Sequence, residues 1–205
     1  MEKISNHTHK LLQIRDLCKS YDQEMVLDHV SMTLSYGNSY CLMAPSGSGK
    51  TTLFRILLGL ESADSGQIEG LTPSSLAAVF QEDRLLEGYT ALENLRFVTG
   101  RRYSNKELTE LLLRLLPTEA LTKPVCEFSG GMKRRTAILR AILAPAEMII
   151  MDEPFTGLDA DTKLKAIDLI REHTAEKLLL FSTHHEEDAK LLGAEMIHLQ
   201  KRSIK

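Results

Sequence analysis

Residues 44 to 52 read Ala-Pro-Ser-Gly-Ser-Gly-Lys-Thr-Thr, between a short apolar run, Tyr40 to Met43, and a helical pattern, Thr51 to Leu60. No other stretch restricts the fold as much. A buried strand that ends in a glycine-rich turn and opens directly into a helix aims successive backbone N–H groups into a small concavity. The positive end of the helix dipole lies behind them. Ala44, Pro45, Ser46, Gly47, Ser48, Gly49, Lys50, Thr51 and Thr52 therefore read as a phosphate cradle. In it Lys50 reaches the β- and γ-phosphates of a nucleotide, and the Thr51 hydroxyl ligates Mg²⁺. The strict pattern begins with glycine where this chain has Ala44. Alanine costs little there at negative φ, and about 1–2 kcal/mol if the position is left-handed.

Around the cradle the chain alternates. Leu11 to Leu17, Val30 to Leu34, Tyr40 to Met43, Leu76 to Phe80, Met148 to Met151, Leu178 to Ser182 and Glu195 to Leu199 read as strands. Helical spacing covers Thr90 to Val98, Asn105 to Leu116 (capped by Ser104, stopped by Pro117), Gly130 to Leu143, Ala160 to Glu172 and Glu186 to Leu192. Strands alternating with helices imply a parallel sheet covered on both faces. The division expected is a nucleotide-binding core, about 11–81 and 146–205, interrupted by a mainly helical subdomain, about 82–145. At 205 residues this is one domain.

Composition removes several function classes. The net charge of −3 provides no basic field, so nucleic acid is not expected as a partner. Cys18, Cys41 and Cys126 form no CxxC pair, which argues against a zinc site or a disulfide framework and fits a reducing cytosol. The polar start, Met1 to Lys10, is no secretory signal. No apolar run approaches the roughly 18 to 20 residues that cross a bilayer, so at a membrane another chain must supply the spans.

Met148-Ile-Ile-Met-Asp-Glu is an apolar strand ending in two acids. In parallel sheets ligands sit beyond the carboxyl ends of the strands, so Asp152 and Glu153 should face the cradle. Asp152 would hold Mg²⁺ and Glu153 would polarise the attacking water as general base. Cradle and acidic strand together fit many nucleotide hydrolases and small-molecule kinases.

Phe128-Ser-Gly-Gly-Met-Lys-Arg-Arg separates these possibilities. Ser129 can cap a helix whose start is opened by Gly130 and Gly131, making a second anion site. The run resembles the signature motif of the ATP-binding-cassette (ABC) family and stands where that family has it, shortly before the acidic strand. The resemblance extends from about Leu11 to Leu199. It implies a P-loop NTPase core of α/β class with a mainly parallel sheet, an N-terminal antiparallel β subdomain and an inserted helical subdomain. It further implies that Gln81 is the Q-loop glutamine, touching Mg²⁺ and water, and that Gly157-Leu158-Asp159 is the D-loop between subunits. His184 becomes the switch histidine at the γ-phosphate, and Tyr21 the aromatic that stacks on adenine. His185 and the His7/His9 pair read as solvated.

Val79-Phe80-Gln81-Glu82-Asp83-Arg84-Leu85-Leu86 with Thr90-Ala-Leu-Glu-Asn-Leu resembles the nitrate/sulfonate/taurine importer branch, in which Met132 is also a common signature residue. Glu87-Gly88 departs from the Pro-Trp usual there, and at this length no regulatory domain is expected after the core. Resemblance thus implies an ATP-hydrolysing subunit that homodimerises around two ATP molecules and drives transmembrane permease subunits. It would lie in the cytoplasm, on the inner face of the membrane. For an importer of a small organic or inorganic anion, a solute-binding protein would act further upstream. The rivals are a soluble cassette ATPase outside transport, a weakly hydrolysing nucleotide-dependent regulator, and a small-molecule kinase.

Overall fold

The computed structural model describes residues 10–45 and 47–199. Ser46 of the cradle and the His7/His9 pair lie outside them. β1 (Leu11–Tyr21) and β2 (Glu24–Ser35) form an antiparallel hairpin. Its two-residue turn, Asp22-Gln23, has both φ values positive, 46° and 69°, the geometry that matches strand twist. Both strands run further than their apolar alternation predicts. Register shifts between Ile14 and Leu17 and around Lys19 break the period-two pattern without ending the pairing.

The polar 61–66 stretch carries no strand pattern, yet it leads into a strand. β4 (Ser65–Glu69) pairs with the other edge of β1 and completes a sheet of order β2-β1-β4. Ile68 alone in β4 is withdrawn from solvent, so no alternation marks it. Gly66 permits the approach: at φ 100°, a Cβ there would lie 2.6 Å from the Asp16 carbonyl oxygen.

The second sheet contains β3 (Ser39–Met43), β5 (Leu76–Val79), β6 (Met148–Met151), β7 (Leu178–Ser182) and β8 (Glu195–His198). All its neighbours are parallel, in the order β5-β6-β7-β3-β8. Successive side chains in a strand leave by opposite faces. Tyr40, Leu42, Met148, Ile150, Leu178 and Leu180 join a core with Leu12, Leu34 and the residues of α1 (Lys50–Leu57). Cys41, Ile149, Met151, Leu179 and Phe181 join the opposite core, with α4 (Gly130–Leu143) and α5 (Ala160–Thr174). Burial on both faces is why these strands read as unbroken apolar runs.

α2 (Ala91–Thr99) and α3 (Asn105–Leu113) stand between β5 and β6 in the chain, and α6 (Glu186–Leu191) follows β7. Thr90 caps α2 and Ser104 caps α3, each in a reciprocal box with the glutamate three residues on. Asn94 is fully buried, accepting from the Leu86 N–H and donating to the Leu86 and Thr90 carbonyls, so it ties the 86–90 loop to α2. Among the described residues no helix is long and apolar enough to cross a membrane.

Candidate functional site

The parallel order brings the carboxyl ends of β3, β7 and β6 side by side, so the cradle, His184 and the Asp152-Glu153 pair leave the sheet along one edge. β3 turns into α1 through Gly47 and Gly49, with φ 76° and 88°. A Cβ on Gly49 would lie 2.7 Å from the Val26 carbonyl oxygen, so only glycine lets the loop lie against β2. Ala44 is not among the positive-φ residues, which removes the backbone cost of its replacing glycine.

A cleft of about 480 Å³ opens over this loop, lined by Tyr21, Glu24 and Val26 from the hairpin, by Gly47 to Thr52, and by Gln81 and Glu153. Its size is that of an ordinary small-molecule site. Several features fit it to a nucleotide's phosphates. α1 begins at Lys50 with no side-chain cap and no acidic residue in its first turn. The Ser48 hydroxyl is buried without a hydrogen-bond partner among the described residues. Lys50, only 7% exposed, has its Nζ on the Ala44 and Pro45 carbonyls at 2.6 and 3.1 Å. Tyr21 stands at the hairpin tip, 40% exposed, with Lys19 Nζ 5.3 Å from its ring centroid.

The two acids are placed differently from one another. Asp152 is 4% exposed and accepts from the Thr51 hydroxyl at 2.7 Å on Oδ2 and from the Ser182 hydroxyl at 2.6 Å on Oδ1. Thr51 and Asp152 therefore meet at one point, as a Mg²⁺ held by one carboxylate, one hydroxyl and phosphates requires. Among the described residues no group of three or more His, Cys, Asp or Glu side chains could hold a metal alone. Glu153 has φ 49°, left-handed for a residue with a side chain. Its N–H donates to Ser182 Oγ at 3.0 Å, and its Oε1 lies 2.9 Å from His184 Nε2. A carboxylate so oriented beside an imidazole, on the cleft wall, has the means to take a proton from water.

Ser182 was missed by sequence reasoning. Its hydroxyl bridges both acids from a fully buried position, and its signal was a polar side chain closing an otherwise apolar strand. Asp188 was missed too. Fully buried, it accepts from Thr183 Oγ1 and from Lys163 Nζ, both at 2.7 Å, fixing the turn that presents His184. His185 is exposed.

Ser129, Gly130, Gly131 and Asp159 do not line the cleft. Ser129 caps α4, accepting from the Met132 N–H at 3.3 Å, and no acid occupies the first turn. A Cβ on Gly131 would lie 3.4 Å from the Gly157 carbonyl oxygen, so the glycine pair and the 157–159 loop are neighbours. Asp159 caps α5 through the Thr162 N–H. That bond, aided by the nearby Arg135 charge, holds its carboxyl below the usual range.

Residues 27–156 match the family described as ABC transporter. The chain is 35% identical over 201 residues to the aliphatic sulfonates import ATP-binding protein SsuB 1 of Pseudomonas syringae pv. tomato, covering 94% of this chain and 72% of that protein. It is 36% identical over 194 residues to the protein of the same name from Nocardia farcinica, covering 93% and 78%. Its fold is similar to a dimeric structure of a post-hydrolysis state of an ATP-binding cassette bound to ADP and Pi. The TM-score is 0.79 at 25% identity, over 92% of this chain and 94% of that one.

Proposed function

The chain belongs to the ABC transporter family as an ATP-binding and hydrolysing subunit, and from that premise we propose how its residues divide the work. Lys50 and the backbone N–H groups of 47–52 hold the β- and γ-phosphates, and Tyr21 stacks on adenine. Thr51, Asp152 and Gln81 hold Mg²⁺, which when bound neutralises charge on the phosphate oxygens. Glu153 takes the proton of the attacking water. His184, 2.9 Å from it, keeps that carboxylate oriented and reaches the γ-phosphate. Ser182 fixes Asp152 and the Glu153 backbone together.

Two chains close head to tail, each offering Ser129, Gly130, Gly131 and Asp159 to the other's ATP. The observation that carries this reading is the separation within one chain: a capped, glycine-opened helix start stands apart from the cleft and carries no acid of its own. Hydrolysis reopens the dimer. The segment 82–145 moves as a helical unit against the core and passes the motion to transmembrane permease subunits, which place the chain at the cytoplasmic face of a membrane. The likeness to sulfonate import subunits favours import of a sulfonate-like anion delivered by a solute-binding protein.

Glu153→Gln tests the mechanism. It should bind ATP normally, lose turnover about 10²–10⁴-fold, and accumulate as an ATP-dependent dimer by size-exclusion chromatography. Normal phosphate release from this variant would reject Glu153 as the base. The cargo is tested separately, in vesicles holding the permease and this subunit: an aliphatic sulfonate should stimulate ATP hydrolysis, and stimulation by a cationic solute alone would reject the anion reading.

A further inference from the structure

Arg134 is 7% exposed and lies in the second turn of α4, five residues after the Ser129 cap. Its side chain leaves the helix toward the segment that follows β5. Nη1 donates to the Phe80 carbonyl and Nη2 to the Gln81 carbonyl, while Nε stands 3.2 Å from Asp83 Oδ1. Two nitrogens of the guanidinium thus hydrogen-bond to residues 80 and 81, and the third is in ion-pair range of Asp83, whose buried Oδ1 has no hydrogen bond among the described residues. Lys133 reaches Glu87 at 3.0 Å, and Arg140 donates to the Arg84 carbonyl at 3.0 Å. Arg84 has φ 44° and lays its guanidinium 4.0 Å over the Phe80 ring. The whole turn from Phe80 to Glu87 is therefore gripped by the basic face of one helix. Burial raises the Asp83 carboxyl from its ordinary value, and the Arg134 charge is the largest influence pulling it back.

We propose that Arg134 is a positioning residue that makes the glycine-opened start of α4 and Gln81 move as one body. Docking of Ser129 to Gly131 on a partner's nucleotide then sets Gln81 in this chain's own cleft. The inference rests on the two-chain closure described above, and adds the link between the two sites. The physical warrant is the rigidity of its parts. An α-helix carries the displacement over one turn, and a planar fork with its acceptors arrayed around it transmits direction as well as distance. A lysine offers a single point charge and cannot serve two carbonyls and a carboxylate in that array.

The test compares wild type, Arg134→Ala and Arg134→Lys, each alone and combined with Glu153→Gln, in the full-length protein. Fluorescent-ATP binding, phosphate release and the ATP concentration at half-dimerisation are measured, with thermal unfolding followed alongside. Arg134→Ala should bind ATP within about twofold of wild type, lower kcat about tenfold, and raise the half-dimerisation concentration of the Glu153→Gln protein about tenfold, inside the usual span of site-to-site coupling. Arg134→Lys should fall between them, and carries the test if the alanine variant does not fold. Equal half-dimerisation with and without the Arg134 change overturns the inference, as does a loss of ATP affinity that matches the loss of kcat. Failure of Glu153→Gln itself to dimerise rejects the two-chain closure instead.

Discussion

α2, α3, α5 and α6 each begin with a carboxylate in the first turn; α1 and α4 have none. The positive end of a helix dipole favours an anion, and most helices satisfy it with their own side chain. At α2 and α3 the glutamates do so while closing capping boxes. At α1 and α4 the first turn is left to glycine, hydroxyl and lysine, and these are the helices that open the cradle and the signature. The two open starts also differ from each other. α1 is enclosed by Tyr21, Gln81 and Glu153 of its own chain, whereas among the described residues nothing beyond the local helix backbone lies within 4 Å of the place a Cβ on Gly130 would take. One start opens into a cleft of its own chain; the other stands outside that cleft.

Giving α4 the acid that the other helices have breaks that comparison most severely. Gly130→Asp has room for its side chain and no positive φ to strain. It should leave the isolated chain as stable or firmer by about 0.3–1 kcal/mol, as first-turn acids do. Placed against a partner's γ-phosphate the same carboxylate costs several kcal/mol, so turnover should drop about a thousandfold while ATP still binds the monomer. Calorimetry and phosphate release on one preparation decide it: an active, ATP-closing Gly130→Asp dimer would end the comparison.

Lys50→Ala acts on the enclosed start and should show the opposite division. Losing a charge-assisted contact to phosphate is worth about 1.5–3 kcal/mol, so ATP affinity itself should fall about 10- to 150-fold, measured by fluorescent-nucleotide titration. Dimerisation should return at saturating ATP, which Gly130→Asp does not allow. Smaller still is Ser182→Ala. It leaves the buried Asp152 Oδ1 and the Glu153 N–H without their shared partner, costing about 1–3 kcal/mol of stability. Its kcat should fall at unchanged ATP affinity and require more Mg²⁺, with Ser182→Thr restoring part of the loss.

These variants also separate what could be read in the chain from what could not. The cradle, the acidic pair and the glycine-opened helix were legible because each couples local backbone geometry to residues close in sequence. Parallel pairing then juxtaposes the loops after β3, β6 and β7 without further information. Ser182 and Asp188 were not legible, since a buried polar residue takes its meaning from what lies across the sheet or in the next helix. Arg134 was hidden for a different reason: nothing in the Lys-Arg-Arg run marks that its middle member turns inward. β4 was lost because hydrogen bonds to β1, and no apolar stripe, make it a strand. Distance in sequence and mixed exposure, more than weak chemistry, set the limit.

The mildest prediction concerns the helices that supply their own anion. Hydrogen bonds from the Thr90 and Ser104 N–H groups, then from the cap hydroxyls, hold the Glu93 and Glu107 carboxyls below their ordinary value of 4.5. A carboxyl depressed in the folded state contributes stability that is fully present above the unfolded value and is lost as pH falls through the folded one. The first turns of α2 and α3 should therefore fray below about pH 4.5, seen as faster amide exchange at Glu93 and Glu107. Glu107→Gln keeps a hydrogen-bond acceptor but no titrating charge, so α3 alone should lose the pH step while α2 retains it. An unchanged step in α3 would show that a group other than Glu107 titrates there, and that the capping carboxylate adds nothing measurable.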